Sequence, residues 1–154
     1  MENKVLKIIF TLFIGVMVAL FVGLGIEAFY PSPVYPDIMW QENMTTDQEA
    51  ALQAAQTAYD EAVSVRYQIV SIVVTAVAVI IMLASMFLEK RNLTLTNGLL
   101  LGGLFSLIYG STVGFSAGSA MVTFITVGVG LAAVVVVGVR RFGPSREARE
   151  AAKP

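Results

Sequence analysis

The sequence predicts an all-α integral membrane protein with four transmembrane helices, the second of which continues into a long outer helix. Four stretches, each of 19 or 20 residues, contain no charged residue: 8–26, 69–88, 95–113 and 121–139. Each is long enough to span the roughly 30 Å hydrocarbon core as a helix. Only 14% of residues are charged, against about 25% in soluble domains. We therefore treat residues 1–154 as one four-span domain.

The distribution of basic residues predicts the orientation of these spans. Nine of the ten Lys and Arg residues lie before the first span, between the second and third, or after the fourth. Cytoplasmic loops carry such an excess of basic residues. We expect both termini and the short basic tail 140–154 to be cytoplasmic, and segment 28–66 to be extracytoplasmic. The plasma membrane is the expected location.

The first span follows a short basic segment, as a cleaved signal peptide would. A signal peptide has an apolar core of about 7–15 residues followed by a small-residue cleavage site. Here the apolar run has 19 residues and is followed by Glu27-Ala28-Phe29-Tyr30-Pro31, which contains no such site. We expect the first span to be retained as an anchor.

A proline-rich segment follows the first span and is called the strap here. Pro31, Pro33 and Pro36 end the helix and favour extended backbone. Aromatic residues such as Tyr35 and Trp40 suit a membrane interface. The segment resembles a ligand for a proline-recognition domain, but a stiff strap along the outer membrane surface is the interpretation we favour.

One continuous helix is predicted from Asp47 to Glu89, about 65 Å long at ~1.5 Å per residue. No Gly or Pro occurs between Pro36 and Gly98. Thr46 and Glu49 are expected to form a capping box at its start. Its outer half presents a face of small residues: Ala51, Ala55, Ala58 and Ala62. This face suits close helix contact, and the expected partner is the strap, a second copy of the chain or a different protein.

Two opposite charges fall where the first two spans meet the outer surface. Glu27 ends the first span and Arg66 begins the second. Each would otherwise face a partly desolvated zone alone, so an interfacial ion pair between them is predicted. The alternative partners for Arg66 are Asp60 and Glu61 on its own helix.

Small residues recur every four positions along the third span. The predicted helix-packing positions are Gly98, Gly102, Ser106 and Gly110, and the pattern continues through Gly114 and Gly118. Small residues four apart line one helix face and allow another backbone to approach closely. Because the outer turn is short, spans three and four should form an antiparallel hairpin. We call the positions from Gly98 to Gly118 the ladder. We expect part of it to pack on span four, whose small positions are Gly128, Ala132 and Gly138.

The predicted function is structural and non-enzymatic. The chain contains no Cys and no His, and no span contains Asp, Glu or Lys. We expect no catalytic residues, no cofactor, no metal site and no nucleic-acid partner. Helix packing points to an accessory subunit in contact with membrane lipids that forms a homo-oligomer or joins a larger membrane-protein partner. The alternative is the protomer of a small passive channel or transporter, whose polar lining would come from Ser, Thr and Tyr residues in the spans.

Overall fold

The computed structural model describes residues 2–36, 44–89 and 92–142, and these form four α-helices. They are α1 (Glu2–Phe29), α2 (Thr46–Leu88), α3 (Leu93–Ser116) and α4 (Ala120–Phe142). All four are long and apolar enough to span a membrane. Each predicted span lies within one of these helices. Most of the tail, part of the strap (37–43) and part of the predicted inner turn (90–91) lie outside the described residues.

The α3 helix is the centre of the bundle. It packs extensively against α2 and α1, whereas α4 contacts α2 and α3 over smaller areas. Contacts between α1 and α2 are few. The α1 helix is therefore attached to the bundle mainly through α3, to which it runs parallel.

The α2 helix is continuous over 43 residues, as the absence of Gly and Pro predicts. The predicted capping box was wrong by one residue, because the N-cap is Thr45 and not Thr46. The Thr45 N–H donates to Gln48 Oε1 at 2.9 Å, and the Glu49 N–H donates to the Thr45 carbonyl at 3.0 Å. The same sequence pattern occurs in both registers, and the earlier register adds one residue to the helix.

Among the described residues, two small apolar clusters fill the interior. Ala78, Met82, Leu107 and Val137 join α2, α3 and α4. A second cluster, built on Val22, Val70 and Val74, joins α1 to α2. Buried Ser and Thr side chains lie between the apolar ones.

The two ends of the bundle have different polar contacts. We call the end from which the tail leaves α4 the tail end, and the end at which the strap follows α1 the strap end. At the tail end, the Asn92 side chain caps α3 by accepting from the Thr94 and Leu95 N–H groups, and Arg141 donates to the Asn97 side chain. At the strap end, residues 117–119 connect α3 to α4. Gly118 has φ +68°, a conformation that suits glycine.

Candidate functional site: the ion pair and the helix-packing surfaces

The structure brings Glu27 and Arg66 together at the strap end. Arg66 Nη2 lies 2.6 Å from Glu27 Oε2. The side chain of Arg66 is 11% exposed, whereas that of Glu27 is 57% exposed. In the described part of the chain Arg66 forms its salt bridge with Glu27 and not with Asp60 or Glu61. The buried member of the pair is therefore the arginine.

Arg66 also binds the end of α1, which the sequence did not indicate. Its Nε and Nη2 atoms donate to the Tyr30 carbonyl at 3.2 and 3.1 Å. Carbonyl groups at the end of a helix lack intrahelical partners and carry partial negative charge. Arg66 thus caps α1 while neutralising Glu27.

Glu27 in turn fixes the start of the strap. Its Oε1 atom accepts from the N–H and the hydroxyl of Ser32, each at 3.2 Å. One carboxylate therefore joins the end of α1, the strap and, through Arg66, α2. This three-way contact is the main polar connection between α1 and α2.

Gly98 and Gly102, the first two positions of the ladder, face α1. A Cβ atom built on Gly98 would lie 2.7 Å from Ile14 Cβ, and one built on Gly102 would lie 2.6 Å from Val18 Cβ. Carbon atoms in ordinary contact are about 3.5–4.0 Å apart. The α1 and α3 backbones therefore approach at a distance that only glycine permits at these two positions.

The later ladder positions Gly110 and Gly114 face α2. Cβ atoms on Gly110 and Gly114 would lie 3.1 Å from Val74 Cγ1 and 2.7 Å from Ser71 Oγ respectively. Gly103 belongs to the same contact, with its Cβ position 2.5 Å from Met82 Cγ. Gly103 was not among the predicted packing positions, although its spacing of seven from Gly110 keeps both on one helix face.

The contact expected between part of this ladder and span four is made at Gly114, whose carbonyl accepts from the Thr123 hydroxyl at 2.7 Å. A Cβ on Gly128 or Gly138 of α4 would meet nothing within 4 Å. Four residues turn an α-helix by about 40° more than one full turn. Positions at this spacing therefore wind around α3 and meet α1 first and α2 later.

Ser106, the remaining ladder position, is buried. Its hydroxyl donates to the Gly102 carbonyl of its own helix at 2.9 Å. Ser71 instead donates across the interface, from α2 to the Gly110 carbonyl of α3, at 2.9 Å. Every buried side-chain nitrogen or oxygen in the described residues has a hydrogen-bond partner. The buried hydroxyls thus satisfy backbone carbonyls of the bundle.

Part of the small-residue face of α2 lies next to the strap. Pro31 and Pro33 line one side of a cleft, and Ala58 and Ala62 line the other. Beyond them the Tyr35 and Tyr59 rings meet edge to face, with centroids 5.0 Å apart. The strap therefore folds back on α2 at these positions.

The other two predicted positions on this face have different surroundings. Ala51 is exposed and Ala55 is half-buried. Next to them, Leu52 is only 6% exposed. The exposed part of the small-residue face therefore includes Ala51, and it extends past the contact between the two tyrosines.

The described residues bring together no group of three or more His, Cys, Asp or Glu side chains that could hold a metal ion. Comparisons of the chain with protein-family models, with curated proteins and with solved structures found no match.

Proposed function

We propose that this chain is a non-enzymatic structural or accessory subunit of the plasma membrane that assembles through helix contacts. It spans the bilayer four times, with both ends cytoplasmic and segment 28–66 outside. Support for this orientation comes from the sequence positions of nine of the ten basic residues, which lie before the first span, between the second and third, or after the fourth. Its partner is a second copy of the chain or a larger membrane protein.

The projecting half of α2 is the observation that carries this proposal. The Ser64 hydroxyl donates to the Ala117 carbonyl at 2.8 Å, so Ser64 is level with the turn between α3 and α4. Residues 46–63 therefore extend about 27 Å beyond that turn. A single helix of such length gains little from propensity in water. A partner that binds it beyond the strap would explain its length and the exposure of Ala51.

The interior of the bundle supports a structural role over transport by a single copy. Gly103, Gly110 and Gly114 of α3 make close contacts with α2. The Ser71 and Ser106 hydroxyls between them donate to backbone carbonyls. Residues that line a polar path would instead present such groups to a water-filled space. A pore would therefore need several copies of the chain.

Mass measurement of the protein in nanodiscs, combined with single-cysteine crosslinking, tests the proposal. Ala51→Cys and Gln53→Cys are matched variants, because both residues are exposed and lie about 200° apart around the helix. We expect either a defined oligomer, with crosslinking at position 51 and little at position 53, or a co-purified membrane protein. Disulfide formation needs Cα atoms within about 7 Å, so it reports direct contact.

A strict monomer in nanodiscs, with no partner co-purified, would refute the assembly proposal. An oligomer that conducts ions in liposomes would instead favour the channel alternative. Equal crosslinking at positions 51 and 53 would show random collision and would not support a specific face. The native chain has no cysteine, so no background thiol needs to be removed.

A further inference from the structure

An apolar cleft lies between α1 and α2, directly below the Glu27–Arg66 pair. Its volume is about 380 Å³. Buried Val22 and Val70 form its floor, while Phe21 and Phe29 stand at its rim and are 79% and 89% exposed. Tyr30 closes the strap end. The cleft is thus open on the side that faces away from the bundle.

The cleft follows from how α1 is attached. Gly98 and Gly102 hold the middle of α1 tightly against α3, and Arg66 holds its end against α2. Between these attachments α1 and α2 make few contacts. Gly25 contributes no side chain there, and a Cβ built on it would meet nothing within 4 Å.

We propose that one acyl chain of a membrane lipid occupies this cleft. The inference relies on the four helices lying in a bilayer, but not on the assembly proposed above. In a bilayer the open side of the cleft faces hydrocarbon, so apolar material must fill it. The polar contacts of Arg66 at one end place the cleft in the outer leaflet under the proposed orientation.

The size of the cleft favours a lipid chain over a partner helix. From Ile69 to Val77 along α2 the lining covers about 12 Å. A partner helix that spans the bilayer would run along about 30 Å of hydrocarbon, more than twice the height of the cleft. A hydrocarbon chain is one methylene group wide and can lie along the cleft over this height.

The charges at the mouth of the cleft argue against selection of an anionic headgroup. Arg66 is the single Lys or Arg in segment 28–66, and Glu27 neutralises it at 2.6 Å. The more exposed member of the pair is the carboxylate. Retention of the lipid should therefore come from burial of its chain and be similar for zwitterionic and anionic phospholipids.

Filling the cleft tests the proposal. Gly25→Leu places a side chain in the cleft, and Gly23→Leu is the matched control, because a Cβ on Gly23 also meets nothing within 4 Å and Gly23 does not line the cleft. Native mass spectrometry, after extraction from nanodiscs of phosphatidylcholine or of phosphatidylglycerol, measures bound lipid per chain. Val73→Phe fills the cleft from the opposite wall and covers the case in which Gly25→Leu misfolds.

We expect one retained lipid in the wild type and in Gly23→Leu. Gly25→Leu and Val73→Phe should lower that retention about tenfold, the effect of removing roughly two buried methylene groups. Equal retention in all variants, no retention in the wild type, or retention of phosphatidylglycerol alone would refute the proposal. A change of oligomeric mass confined to the two filling variants would show that a second copy of the chain occupies the cleft.

Discussion

The contact between α1 and α3 gives the sharpest prediction. Gly102→Ala adds a methyl group whose carbon would lie 2.6 Å from Val18 Cβ and 3.2 Å from the Gly15 carbonyl oxygen. Val18 Cβ is fixed to the α1 backbone, so no rotamer change can move it away. The two helices must separate by about 1 Å to restore ordinary carbon contacts of ~3.5–4.0 Å.

The expected cost combines two opposing effects. Forcing an extra methyl group into a close-packed contact typically costs about 1–3 kcal/mol. Replacing glycine by alanine within a helix returns up to about 1 kcal/mol. We expect Gly102→Ala to lower the free energy of unfolding by up to about 2 kcal/mol, which is their balance.

Gly128→Ala in α4 is the matched control. An added Cβ there meets nothing within 4 Å. Gly128→Ala should therefore gain the helix propensity of alanine without a steric clash. Unfolding by sodium dodecyl sulfate in mixed micelles, followed by circular dichroism, compares the two variants. Equal stability of Gly102→Ala and Gly128→Ala would refute the close approach of α1 and α3.

A double-mutant cycle with Val18→Gly isolates the contact itself. This change removes the Cβ atom that a residue 102 methyl group would strike. We expect Gly102→Ala to cost less in the Val18→Gly background, with a coupling energy of about 1–2 kcal/mol, within the range of ~0.5–3 for residues in contact. A coupling energy near zero would mean that any loss in Gly102→Ala arises elsewhere.

Two further predictions concern polar contacts. Arg66→Glu should lower the folded yield in membranes, and adding Glu27→Arg should restore part of it; recovery stays incomplete because Arg66 also binds the Tyr30 carbonyl. The idea of a specific pair fails if the double variant yields no more than either single variant. Ser71→Ala should cost about 0.6 kcal/mol, the mean for hydrogen bonds between membrane helices, because its hydroxyl donates to α3. Ser106→Ala should cost less, since that hydroxyl donates within its own helix, and equal losses in the same unfolding assay would contradict this distinction.

The four helices were predictable because their signal is carried by length and by the absence of charge. In hydrocarbon the backbone N–H and C=O groups must form hydrogen bonds within the segment. A charge-free run of about 20 residues is therefore expected to form a helix. Each helix extends beyond the apolar run that predicted it. For example, α1 continues to Phe29 although the charge-free stretch ends at Ile26. Charge marks where a span should end, but it does not end a helix.

The contact between Glu27 and Arg66 was predictable only in part. Two opposite charges at the ends of consecutive helices indicate a pair, and the sequence places them so. The role of Tyr30 depends on where α1 stops and on which way its last carbonyl points. The prolines after Tyr30 set the stop, but no sequence pattern shows that Arg66 reaches the carbonyl.

The arrangement of neighbours around α3 is what the sequence could not supply. A spacing of four identifies small positions without saying which helix each one meets. Gly98 and Gly102 meet α1, while Gly110 meets α2, because the ladder winds around the helix as it rises. The short turn before α4 suggested α4 as the neighbour, yet sequence adjacency does not fix the area of contact.

This use of glycine limits where a partner can bind. Gly98 and Gly102 are already in contact with Ile14 and Val18, so an oligomer built on that part of α3 would first have to detach α1. The open glycine Gly128 requires no such rearrangement. If copies of the chain meet within the bilayer, contact on the α4 face is therefore less costly than exchange at the ladder. Contact through the projecting half of α2 displaces no helix described in the bundle, which is why the crosslinking test above starts at that segment.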